Sequence, residues 1–144
     1  MRVWNWPELF SAYLRECQTR PFAWGEFDCC LFACDAIKLM TGIDPAENFR
    51  GRYNDVHSAL EVIATHGGDL EQLAATVAAQ YGLEEVPVNF AQTGDIVVIN
   101  NVETDMGKDR PMLGVMGSDG RPLIPIEAGL ASVPRESVTR AFRI

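Results

Sequence analysis

Phe27-Asp28-Cys29-Cys30 places a thiol beside a helix-capping residue type, where the glycine-led segment Trp24-Gly25-Glu26 gives way to an apolar run. Asp28 is a favoured N-cap, and Leu31, Phe32, Ala33, Ala36, Ile37, Leu39 and Met40 read as a mostly buried helix stopping at Thr41-Gly42. Cys29 then falls in the first turn. Unpaired backbone N–H groups and the positive end of the helix dipole favour a thiolate there, which is the chemistry of a nucleophile. A cysteine hydrolase also needs a proton donor for its leaving group, a role histidine fills near neutral pH. The chain has two histidines, His57 and His66, both in its helical part. His66-Gly67-Gly68 reads as a helix C-terminus whose imidazole meets free carbonyls. His57 reads as a partly exposed polar residue near a helix start, with recruitment as an unorthodox base as the alternative.

The other cysteines, Cys17, Cys30 and Cys34, read as small core residues. Cys30 and Cys34 are four apart and share a helix face. Together with Cys17 and Cys29 they offer a metal-binding structural domain as an alternative, although no Cys-x-x-Cys pair exists and adjacent helical side chains diverge by about 100°. Arg50-Gly51-Arg52-Tyr53 presents two fork donors around a glycine and reads either as a binding loop or as a solvated loop with one structural salt bridge. Trp4, Trp6 and Trp24 read as core or interface anchors.

The elements that must position these residues divide the chain in two. Asn5 and Pro7 open a first amphipathic helix carrying Leu9, Phe10, Tyr13, Leu14 and Cys17, and the cysteine helix follows. Residues 55–65 and 69–80 read as two further helices, headed by Asp55 and Asp69. Beyond residue 82, short Val- and Ile-rich runs separated by Gly, Pro and Asn read as strands at 83–88, 96–100, 112–116, 121–126 and 138–142. Asp119-Gly120 is a hairpin signal between two of them. Helices first and an antiparallel sheet afterwards make an α+β domain. A length of 144 residues, without linker or repeat, makes a single domain spanning 1–144.

A net charge of −8, with 12 Lys and Arg against 20 Asp and Glu, argues against a nucleic-acid partner. No apolar run approaches the ~20 residues of a membrane span. The amino-terminal segment lacks the apolar stretch of a signal peptide, so the chain is expected to begin in the cytoplasm, with its cysteines as thiols.

Three blocks, in order, resemble the NlpC-type peptidases of the papain-like cysteine-hydrolase superfamily, in particular a branch among phage tail-tip proteins. Phe27-Asp28-Cys29-Cys30-Leu31-Phe32 is similar to the family's aromatic-Asp-Cys-Ser-Gly-Leu motif, with Cys29 at the nucleophile. Gly94-Asp95-Ile96-Val97-Val98 looks like its Gly-Asp-Leu-Val strand, and Met112-Leu113-Gly114-Val115-Met116 falls where it has His-Val-Gly-Ile-Tyr. Two departures matter: Cys30-Leu31 replaces Ser-Gly, and Met112 stands at the position of the general base. Glu127, in Ile126-Glu127-Ala128, takes the slot of a third polar residue. The resemblance implies a papain-like fold, N-terminal helices on a C-terminal antiparallel sheet, with no cofactor. It implies a mainly structural tail-tip component partnered by tail-hub proteins, in the bacterial host cytoplasm during assembly and then in the virion. The alternative it implies is an active cysteine peptidase or amidase on peptidoglycan peptide stems, with Cys29 attacking.

Overall fold

The computed structural model describes residues 2–103 and 110–144. Within them lie helices α1 (Trp6–Cys17), α2 (Cys29–Thr41), α3 (Val56–His66) and α4 (Leu70–Gln80), then strands β1 (Glu84–Val86), β2 (Ile96–Ile99), β3 (Met112–Met116), β4 (Pro122–Ile126), β5 (Gly129–Ser132) and β6 (Val138–Arg143). The chain is therefore α+β, four helices followed by one antiparallel sheet of order β1-β6-β2-β3-β4-β5. None of these helices is long and apolar enough to cross a membrane.

The helix ends follow from local chemistry. Asp28, Asp55 and Asp69 each accept a backbone N–H three residues on, which satisfies one of the orphan donors of α2, α3 and α4. Ser58 reaches back to the Asp55 N–H and completes a capping box. Helix α2 stops at Gly42, whose φ of 81° is the left-handed cap that glycine adopts without penalty. Asn5 occupies the N-cap of α1, but its side chain makes no cap bond, and Pro7 in the first turn removes a donor that would otherwise need one.

Helix α2 is the central helix. It packs on β3 and β4 of the sheet and against α1, with Leu31, Phe32, Ala33, Ala36, Ile37 and Met40 buried. Phe32 is fully buried between Phe27 and Tyr13, their ring centroids 6.0 and 5.8 Å away, and the Tyr13 hydroxyl donates to the Phe32 carbonyl at 2.9 Å. These contacts fix the start of α2 from two sides. Strands β2 and β3 are buried along their whole length. Gly114, mid-β3, has no room for a side chain: a Cβ there would lie 2.7 Å from both the Ile99 side chain and the Leu123 carbonyl oxygen.

Gly94-Asp95 opens β2 as expected from its sequence. Gly94 has φ 86°, and Asp95 is fully buried, accepting from the Gln92 N–H at 2.8 Å and from Arg143 at 2.9 Å, with Arg2 at 3.4 Å. Two strand expectations need correction. Strand β1 is only three residues long, because Pro87 leads into a 3-10 turn at Val88–Phe90. Strand β5 is an addition: Gly129-Leu130-Ala131-Ser132 has weak intrinsic strand preference and is extended because it pairs with β4 from Leu123 to Ile126.

Candidate functional site

The start of α2 is built around one buried carboxylate. Asp28 Oδ1 accepts the Leu31 N–H at 2.9 Å, and Oδ2 accepts the Gly25 N–H at 3.0 Å and the Tyr53 hydroxyl at 2.6 Å. Three donors satisfy a charge that burial would otherwise make costly. Residues 23–27 close on themselves, with Ala23 and Phe27 exchanging backbone hydrogen bonds at 3.0 and 2.8 Å. Gly25 has φ 80° and sits so close to the following segment that a Cβ would lie 2.2 Å from the Tyr53 carbonyl oxygen. The glycine of Trp24-Gly25 is thus a requirement of packing as well as of backbone conformation.

That frame sets Cys29 in the first turn of α2, 7% exposed. Its thiol is held below the ordinary value, first by the hydrogen bond from the Cys30 thiol and further by the Leu113 and Cys30 backbone N–H groups, while burial and the Asp28 carboxylate oppose the shift. Cys30, whose proton is shared toward Cys29, is pushed well up by the same bond and by burial. Burial pushes Cys34 up to about 12. Of the three thiols on this helix, Cys29 is the one favoured as an anion.

Cys29 lines a partly open cavity of about 300 Å³ between α2, α3, α4 and the sheet, whose wall is overwhelmingly apolar. Met112 and Leu113, the first residues of β3, line it too. The Leu113 N–H, at the start of β3, is among the groups that lower the Cys29 pKa. Cys29 and Met112, 83 positions apart in the chain, thus line the same cavity. Met112 is 6% exposed, and its thioether neither accepts nor delivers a proton.

Glu127 is not part of this arrangement. It is exposed in the turn between β4 and β5 and does not line the cavity, because the β4–β5 hairpin turns one residue after Ile126 and carries the side chain off the strand. Both histidines are exposed on α3. His57 pairs with Glu61 at 3.3 Å, and His66 meets the Val62 carbonyl at 2.9 Å with its ring edge-on to Phe49. Neither lines the cavity. The four-cysteine metal site is not formed: among the described residues no three His, Cys, Asp or Glu side chains converge to hold a metal ion. Cys17 is buried at the end of α1, whereas Cys30 and Cys34 are half-buried on the cavity wall and not in the closed core expected for them.

Arg50 is structural. Its Nε and Nη2 grip Asp44 at 2.7 and 3.0 Å, and Nη2 also bonds Asp35 of α2. Arg52 is exposed. Trp24 lines the cavity and packs edge-on against Phe22, Trp6 lies under the Arg2 guanidinium, and Trp4 is 91% exposed. Tyr53, read from the sequence only as part of the Arg50-Gly51-Arg52-Tyr53 loop, belongs to the site through its bond to Asp28. Burial, then the Asp28 charge, raise its pKa, so it stays protonated and donates. Its one signal was an aromatic residue next to the arginine pair.

Such a site combines a thiol favoured as an anion with an apolar chamber, and neither histidine lies on its wall. It can support nucleophilic attack. Among the described residues, no imidazole lines it to protonate an amine leaving group. No curated protein matches the chain. A family model described as Domain of unknown function (DUF6950) matches residues 1–144, and the chain belongs to that family.

Proposed function

We propose that this chain is an NlpC-type, papain-like domain whose hydrolase site has lost its general base, and that it serves as a packing component of a phage tail tip. The observation that carries the first half is the pairing of Cys29 with Met112. A cysteine in the first turn of a buried helix shares a cavity wall with the first residue of a central strand, and that residue is a methionine where the resembled family has histidine. The order of helices before an antiparallel sheet supports the same reading. The tail-tip role and its tail-hub partners rest on the sequence resemblance. Co-expression of the tagged chain with the tail-hub proteins of its source phage or prophage tests it: the expected result is a co-purifying complex and the chain's presence in purified virions. Absence from both removes the assignment.

A second reading, a working peptidase or amidase on peptidoglycan stem peptides, is favoured by one observation, the lowered pKa of Cys29. It requires a proton donor from outside the described cavity wall. Turnover of stem peptides that disappears in Cys29→Ala would establish it. No turnover is expected.

A further inference from the structure

Amide cleavage and thioester exchange make different demands on a cysteine. Expelling an amine requires a proton delivered to nitrogen, whereas a thioester expels a thiolate that leaves without one. The absence of a histidine from the cavity therefore removes the first reaction and leaves the second intact. Cys29 keeps what the second needs: a favoured anion, placed by Asp28 in the first helical turn and supported by the Leu113 N–H and the Cys30 thiol.

The space in front of the thiol points to the acyl group. The cavity of about 300 Å³ is walled by Leu73, Ala74 and Val77 of α4, Ile63 of α3 and Leu113 of β3. That volume is at the lower end of the range for small-molecule sites, about 300–1,000 Å³, and apolar chambers of this kind take apolar guests in preference to water. Val56 and Leu60, both lining residues, are 38% and 45% exposed, so the apolar surface runs continuously from the chamber to the outside along α3. Arg110, also a lining residue, is exposed and supplies a cation for an anionic carrier.

We propose that Cys29 accepts medium-length acyl chains from acyl thioesters and holds them in this cavity as a stable thioester. The Cys29 sulfur adds to the acyl carbonyl carbon, the carbon–sulfur bond to the carrier breaks, and the carrier leaves with the electron pair as a thiolate. The proton lost from Cys29 to solvent is regained from solvent by the carrier thiol, so the exchange needs no oxidant, reductant or protein acid. Hydrolysis of the acyl-protein is slow, because no histidine lines the wall and its carboxylates, Asp28 and Asp69, are engaged in helix-cap hydrogen bonds. The inference rests on the lost-base reading above.

The test uses the intact protein with octanoyl-coenzyme A and, in parallel, acetyl-coenzyme A, followed by whole-protein and peptide mass spectrometry. One octanoyl group is expected on Cys29, removable by hydroxylamine and absent in Cys29→Ala, with octanoyl transfer faster than acetyl transfer by about tenfold or more because the longer chain is buried. Ala74→Phe, which fills the chamber, is expected to slow octanoyl transfer by at least about tenfold while changing acetyl transfer by less than about threefold. No adduct on Cys29, or equal labelling by both donors, overturns the inference and leaves the lost-base reading standing. Continuous release of free octanoate, dependent on Cys29, overturns the lost-base reading and with it the stable acyl-protein.

Discussion

The Tyr53 hydroxyl donates to Oδ2 of Asp28 at 2.6 Å, tying the segment after α2 to the cap of the helix that carries Cys29. Both partners are withdrawn from solvent, Asp28 almost completely. The pair couples the stability of the fold to the placement of the thiol. Tyr53→Phe removes one of the three donors to a buried carboxylate and is expected to cost about 1–3 kcal/mol in denaturant unfolding. Asp28→Ala, which strands the Leu31 and Gly25 N–H groups as well as the tyrosine, is expected to cost more. Unfolding midpoints unchanged in both variants would show that the bond contributes nothing.

Arg50 predicts a pH signature. Its hydrogen bond to Asp44, more than any other influence, holds that carboxyl below its ordinary value of 3.8. A carboxylate depressed in the folded state adds stability that is present above the unfolded pKa and lost as pH falls through the folded one. The native protein should therefore lose this increment below about pH 4. Arg50→Ala should be less stable near neutrality by roughly 1 kcal/mol, since the guanidinium is 32% exposed and screened by solvent, and the two stability curves should converge in acid. Parallel curves would contradict the assignment.

Met112→His introduces an imidazole at the cavity wall beside Cys29. Replacing a buried methionine with a polar ring is expected to cost about 1–3 kcal/mol. In return, the Cys29 alkylation profile should move to lower pH, and an activated ester such as p-nitrophenyl acetate should be turned over more than about tenfold faster than by the native chain. An unchanged profile in a folded variant would mean that residue 112 does not face the thiol.

Glu127→Gln is expected to be silent. The side chain is exposed in the β4–β5 turn and away from the cavity, so stability should change by less than about 0.5 kcal/mol and Cys29 reactivity not at all. A loss of Cys29 reactivity in unfolding-neutral Glu127→Gln would restore it to the site.

Much of the fold was legible because its signals are local. The three aspartate caps, the glycine stop of α2 and the Asp119-Gly120 turn announce their elements through hydrogen bonds and backbone angles that involve only neighbouring residues. Strand β5 was not legible, since its conformation comes from pairing with β4 and not from its own residues. The site divides the same way. Cys29 and Met112, singled out from motif order, both line the cavity, whereas the Tyr53 bond to Asp28, 25 residues apart, and the chamber between α2, α3, α4 and the sheet arise from packing. Glu127, taken from motif order, lies in the β4–β5 turn, whose position motif order does not reveal. Arg50 was half legible: one structural salt bridge was foreseen, and the second partner, Asp35 of α2, comes from packing.

The most direct measurement is the pH dependence of iodoacetamide alkylation, resolved by peptide mass spectrometry, in the native chain and in Met112→His. In the native chain, Cys29 should be modified ahead of Cys30 and Cys34, with an apparent pKa below the ~8.5 of an ordinary thiol. The profile should shift further down in Met112→His. A Cys29 that reacts no earlier than its neighbours in both forms would contradict a preserved thiolate site and reduce it to a packing residue of α2.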